Sequence, residues 1–214
     1  MNGRFDVSSA LTTIRPDRPL IIVDADEVVL GFVDGFDRFL RLQGLYLDLT
    51  SYRLHGNVKR LADGTTLLDV EVTALLDEFR TDLDSLDAIP GACKSLTSLS
   101  ELATIVVLSN VTLGQAPARR RNLVSLGLDL PLVVNSGAKG PAVKALTAPI
   151  QAPSFFIDDI PTHLASAAEH APEVLRIHLV GNTRLLGLLP LPIHANFGAG
   201  DWAAAEQFIT AHLQ

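Results

Sequence analysis

Two pairs of carboxylates frame the chemistry of this chain, Asp24-Ala25-Asp26 near its start and Asp158-Asp159 late in it. Between them lie a hydroxyl with an amide, Ser109-Asn110, and a lysine in Ser136-Gly137-Ala138-Lys139. If the four carboxylates share one site, any two of them 4 Å apart repel by about 4 kcal/mol at an effective dielectric near 20, so a cation is expected among them. Asp24, Asp26, Asp158 and Asp159 offer only oxygen, which favours Mg2+ over zinc, for which histidine or thiolate donors are typical. A divalent ion would also screen an attacking carboxylate from a phosphate dianion. Asp24 would then attack phosphorus and form an aspartyl-phosphate. Asp26, two residues on, would protonate the leaving alcohol and later activate water. Ser109 would hydrogen-bond a phosphoryl oxygen, and Lys139 would compensate charge on the nucleophile and the transferring group. That task suits a compact ammonium better than a planar guanidinium.

Each of these groups follows a short apolar run. PLIIV leads to Asp24, TIVVL to Ser109, PLVV shortly to Lys139 and SFFI to Asp158, while a fifth run, VLRIHL, comes later. The runs are nearly unbroken rather than alternating, which is how strands of a parallel sheet covered on both faces read, and helical stretches separate the later ones. The expected fold is α/β, a doubly wound, parallel, Rossmann-like sheet with its ligands at the carboxyl ends of the strands.

About 80 residues separate the first two runs, far more than one crossover needs. GFVDGFDRFLRLQGL and LDVEVTALLDEFR within that stretch both have helical periodicity. A small helical cap over residues 31–88 is expected, inserted into a core made of residues 1–30 and 89–214. The middle of the insertion, SYRLHGNVKRLADGTT, is polar, basic and turn-rich, and its Arg53 and His55 are candidates to contact a leaving group. After the fifth run a short edge strand and a closing helix from Trp202, with Asp201 as N-cap, are expected.

The formal charge of −7 and only four lysines argue against nucleic-acid binding, which draws its free energy from clustered cations. Arg119-Arg120-Arg121 is read as the solvated face of an amphipathic helix whose Leu123 and Leu126 point inward. No apolar run reaches the roughly 20 residues that cross a bilayer, and the first residues lack a secretory pattern, so no membrane contact and a cytoplasmic location are expected. The lone Cys93 excludes an internal disulfide and reads as a packing residue on a helix.

In order and context Asp24-x-Asp26, Ser109, Lys139 and Asp158-Asp159 resemble the four motifs of the haloacid dehalogenase superfamily, across residues 19 to about 165. The resemblance implies a helical cap after the first motif and Mg2+ held by the Asp24 carboxylate, the Asp26 backbone carbonyl and the last acidic motif, Asp159 being the preferred direct ligand. It further implies that an acid at Asp26 favours phosphatases and phosphomutases over dehalogenases, because cleaving a carbon–halogen bond needs no leaving-group proton. Where members with paired aspartates commonly carry Asn or Asp, this chain has His163, and Gly140 stands between Lys139 and Pro141. The expected activity is Mg2+-dependent hydrolysis of a small phosphorylated metabolite. A phosphomutase of the same superfamily and a non-catalytic binding protein on the same fold are the alternatives. A signalling receiver domain uses similar groups in a different order. The substrate, and whether the protein forms a homodimer, are left open by the residues.

Overall fold

The computed structural model describes residues 5–189 and 192–213. In chain order its elements begin α1 Ser8–Leu11, β1 Leu20–Val23, α2 Phe32–Leu42, β2 Leu45–Leu47, β3 Val58–Arg60 and α3 Asp69–Phe79. They continue α4 Ala92–Leu102, β4 Thr104–Ser109, α5 Ala116–Ser125, β5 Leu132–Val134, α6 Gly140–Thr147, β6 Ser154–Asp158, α7 Pro161–His170, β7 Leu175–Leu179, β8 Phe197–Ala199 and α8 Trp202–Ala211. All five apolar runs contain strands. They form one six-stranded sheet in the order β5-β4-β1-β6-β7-β8, parallel throughout.

The unbroken apolar character of the runs has a direct structural cause. Successive side chains on a strand point to opposite faces. Ile21, Val23, Ile105, Val107, Phe155 and Ile157 enter one core with α4, α5 and α8. Leu20, Ile22, Val106, Leu108 and Phe156 enter a second core, on the opposite face, with α1, α6 and α7. Each such side chain, fully buried, contributes roughly 1.5–3 kcal/mol, so a polar residue at any of these strand positions would be costly. β8 is the short edge strand expected near the end. Asp201 caps α8 by accepting a hydrogen bond from the Ala204 amide at 2.8 Å.

The segment between β1 and α4 leaves and returns at adjacent points. Gly31 N donates to Asp87 O at 2.9 Å and Ile89 N to Val29 O at 2.8 Å, and Leu30 bridges to Ala88. Inside the segment, α2 and α3 meet through Phe32 and Phe36, whose rings lie 5.1 and 5.3 Å from that of Phe79. β2 and β3 form a small antiparallel pair beside them. Val58 explains why the polar, turn-rich middle still holds a strand: its side chain is fully buried, and its backbone pairs with Leu47. Arg184, in the loop after β7, ties α2 down through Asp34 at 3.0 Å and Asp37 at 3.1 Å. Among the described residues, no helix is long and apolar enough to cross a membrane.

Candidate active site

β1 lies in the interior of the sheet, and from it the chain builds outward first to β4 and β5, then in the other direction to β6, β7 and β8. Such a reversal opens a crevice at the carboxyl ends of the central strands. Asp24 follows β1 directly, Ser109 ends β4 and Asp158 ends β6. Lys139 immediately precedes α6. Its ammonium, 1% exposed, lies 2.5 Å from Asp24 Oδ1 and 2.8 Å from Asp158 Oδ2. The Gly140-Pro141 step after it has a steric reason. A Cβ on Gly140 would collide with the Ser166 backbone of α7, and the Gly140 amide donates to Ser166 Oγ at 3.1 Å. Close contact of α6 and α7 thus sets where the lysine stands.

The electrostatics follow from burial. Burial, together with the charges of Asp158 and Asp26, pushes Asp24 up to about 6 in spite of the adjacent ammonium. Burial also raises Asp159 well above the ordinary carboxylate range, and Asp24 and Glu27 add to the effect. Lys139 is penalised by burial, but Asp158 and Asp24 outweigh that and raise it, so it stays a cation. Asp158 has both oxygens engaged, Oδ2 by Lys139 and Oδ1 by the Ile160 amide at 2.8 Å. Asp159 is different. Its Oδ1 is buried without a hydrogen-bond partner, and its Oδ2 accepts from the Tyr52 hydroxyl.

A pocket of about 240 Å³ opens over these groups. Asp24, Asp26, Lys139 and Asp159 line it, and so do Asn110 and His163. Burial, then the Lys139 charge, pushes His163 down to about 4, so its imidazole is neutral near pH 7. Ser109, the last residue of β4, is fully buried and is not among the pocket residues; its Oγ has no hydrogen-bond partner among the described residues. The Asn110 amide is already occupied: Nδ2 donates to Gly137 O at 3.0 Å and Oδ1 accepts from Asn135 at 2.6 Å, which ties the β4 loop to the turn presenting Lys139. Arg53 and His55 are not among the pocket residues. Arg53 is exposed, and the His55 ring is 3.0 Å from Thr73 Oγ1 at the surface of α3.

Several pocket residues escaped the sequence reading. Arg119 is the clearest correction. Arg120 and Arg121 are exposed as expected, but Arg119 is fully buried, with Nη1 2.7 Å from Asp26 Oδ1. The inward face of α5 is Ala118, Arg119, Asn122 and Leu123. Leu123 gave a signal, because the residue four positions before an inward leucine shares its helix face. Glu27 is also buried in the lining, at a backbone φ of 60° that only a few per cent of non-glycine residues adopt. Its Oε1 accepts from the Val33 amide at 2.6 Å, capping α2, and its carboxylate also lies beside the Asn182 side chain. Tyr52, Leu54 and Arg80 reach the pocket from the inserted segment, and nothing in their local sequence announced it.

One carboxylate oxygen from each of Asp24, Asp158 and Asp159 lies within 4.8 Å of the others. Three buried acids, one with an orphaned oxygen, with no zinc-type donor among them, fit a hard divalent cation.

No family model matches the chain, and no curated protein matches it. Solved structures do. A hydrolase from Pseudomonas syringae superposes with a TM-score of 0.58 at 18% identity, covering 91% of this chain and 99% of its own. A haloacid dehalogenase-like hydrolase from Burkholderia xenovorans gives 0.55 at 15% identity, over 93% and 100%. A HAD-hydrolase from Bacillus subtilis, bound to magnesium, gives 0.54 at 14%, over 92% and 100%. The chain therefore has the α/β fold of the haloacid dehalogenase superfamily.

Proposed function

We propose that the protein is a Mg2+-dependent phosphatase that hydrolyses a small phosphorylated metabolite through an aspartyl-phosphate on Asp24. The observation that carries this reading is the placement of Asp24 at the end of β1, anchored through one oxygen, beside a pocket that also receives Asp26. Asp24 Oδ1 takes both Lys139 and the Ala25 amide, the latter at 2.7 Å, so Oδ2 is the less committed oxygen. Attack breaks the bond from phosphorus to the ester oxygen, and Asp26 donates the proton that the leaving oxygen needs. Asp26 then takes a proton from water as that water attacks the aspartyl-phosphate. Inorganic phosphate leaves and the Asp24 carboxylate returns. Ser109 Oγ, buried and unpartnered, is suited to a phosphoryl oxygen, and Lys139 balances the charge that builds beside it.

Asp24, the Asp26 carbonyl and Asp159 would hold Mg2+, which when bound supplies charge neutralisation between carboxylate and phosphate. Asp159 is preferred to Asp158 because its Oδ1 is free whereas both oxygens of Asp158 are committed. The inserted segment would act as the cap, since Tyr52, Leu54 and Arg80 close the pocket from that side. An acid at Asp26 favours phosphate esters over haloacids.

The test is phosphate release from p-nitrophenyl phosphate and a metabolite panel with Mg2+ or EDTA, run beside halide release from 2-haloacids. Asp24→Asn is expected to lower metal-dependent turnover by at least about 1000-fold. Halide release without phosphate release, or full activity in Asp24→Asn, would overturn the reading.

A further inference from the structure

Arg119 has no exposed surface, yet it lines the pocket. A guanidinium brings five N–H donors in a rigid planar fork, and burying it is costly unless acceptors meet them. Among the described residues the acid paired with it is Asp26, at 2.7 Å. Nε, Nη1 and Nη2 have no hydrogen-bond partner among the described residues. Of the other inward residues of α5, Ala118 and Leu123 are apolar and Asn122 donates to Leu86 O at 2.9 Å, whereas Arg119 has no comparable backbone partner among the described residues. Neutralising Asp26 accounts for one contact and leaves the rest of the fork unused.

The position of the fork says what would use it. Lys139 and Ser109 serve the transferring group, whereas Arg119 stands at Asp26, the residue assigned to the leaving oxygen. An acceptor on Arg119 therefore belongs to the leaving group. A planar fork matches two oxygens of a carboxylate or a phosphate. The geometry points to a substrate whose leaving group carries a second acidic group, carboxylate or phosphate, seated on Arg119. This inference rests on the phosphatase reading and narrows its substrate class.

Ethyl phosphate, phosphoglycolate and ethylene glycol bisphosphate share a two-carbon leaving group and differ in a terminal methyl, carboxylate or phosphate. In the wild-type protein with Mg2+, kcat/KM for one of the two acid-bearing esters is expected to exceed that for ethyl phosphate by about 10- to 100-fold, the worth of a charged hydrogen-bonded pair, and the preferred ester identifies the group. Arg119→Met should collapse that ratio to within about threefold, mainly through KM, and Arg119→Lys should restore part of it. No preference in the wild type, or an unchanged ratio in a folded Arg119→Met, overturns the inference while leaving phosphatase activity standing. If the wild type releases no phosphate, the parent reading fails and calorimetry decides the inference alone. Asp24→Asn would be titrated with the same three esters, and again with Arg119→Met added. Tighter binding of an acid-bearing ester that vanishes in the double variant supports a site at Arg119, and equal affinities refute it.

Discussion

Tyr52 of the inserted segment donates its hydroxyl hydrogen to Oδ2 of Asp159, a residue 107 positions later in the chain, directly after β6. The bond fixes one carboxylate oxygen and leaves Oδ1 buried without a partner among the described residues. It links the segment covering the pocket to the acid assigned to the metal. Partners that orient a metal ligand typically matter tenfold or more. Tyr52→Phe should weaken Mg2+ binding by about tenfold, read as the Mg2+ concentration giving half-maximal activity and as heat on titrating Mg2+ into protein treated with EDTA. Unchanged Mg2+ affinity would show that the tyrosine does not orient Asp159.

Lys139 bridges two buried carboxylates, so removing it strands both. Lys139→Met should cost about 3–5 kcal/mol in urea unfolding at pH 8. The loss should be smaller near pH 5, where Asp24, already raised by burial, can shed its charge by taking a proton. Lys139→Arg is not expected to rescue activity, because a planar fork cannot occupy the place of an ammonium held between Asp24 and Asp158. Equal stability loss at both pH values would contradict the charge argument.

Asp26 is assigned to the leaving oxygen, so its importance should scale with how badly that oxygen needs a proton. Asp26→Asn should reduce hydrolysis of an alkyl phosphate by about 10²–10⁴-fold. p-Nitrophenol leaves well without a proton, so p-nitrophenyl phosphate should lose less in the first half-reaction, seen as a burst of nitrophenol in rapid mixing. Equal slowing of both bursts would remove Asp26 from the role of general acid.

Glu27 gives the metal-free protein a pH dependence. Burial, opposed by the Val33 amide, pushes it up to about 8 from an ordinary value of 4.5. Between those values the folded state holds a proton that the unfolded chain releases. Its contribution to stability is thus complete below about pH 4.5 and is lost as the pH rises through about 8. Asp159, raised in the same direction, adds a loss of the same sign. In EDTA, urea unfolding from about pH 6.5 to 8.5 should show roughly 1–2 kcal/mol of destabilisation due to Glu27. Glu27→Gln should remove that share, and a slope identical in the variant would contradict it.

The sequence by itself determined the sheet and the reactive groups at its carboxyl edge. All five apolar runs became strands because burying both faces of a parallel sheet leaves an unbroken signature. Residues at or soon after the ends of such strands collect along one edge of the sheet, which is why Asp24, Ser109, Lys139 and Asp158 were legible as one constellation; Lys139 joins Asp24 and Asp158 directly, while Ser109 is buried at the end of the neighbouring β4. The two helices of the insertion were legible too, from their periodicity.

Tertiary structure alone decided which side chains the pocket receives from elsewhere. Arg119, Arg120 and Arg121 are identical and adjacent in sequence; the helix phase of Leu123 singles out the first, but the docking of α5 against the sheet is what buries it and leaves the other two in water. Arg53 and Tyr52 are neighbours in an irregular stretch, where side-chain direction follows no local period, and the tyrosine reaches Asp159 while the arginine faces solvent. Strand ends fix direction locally, through the backbone; helix phase and loop path are fixed by packing against residues far away in the chain.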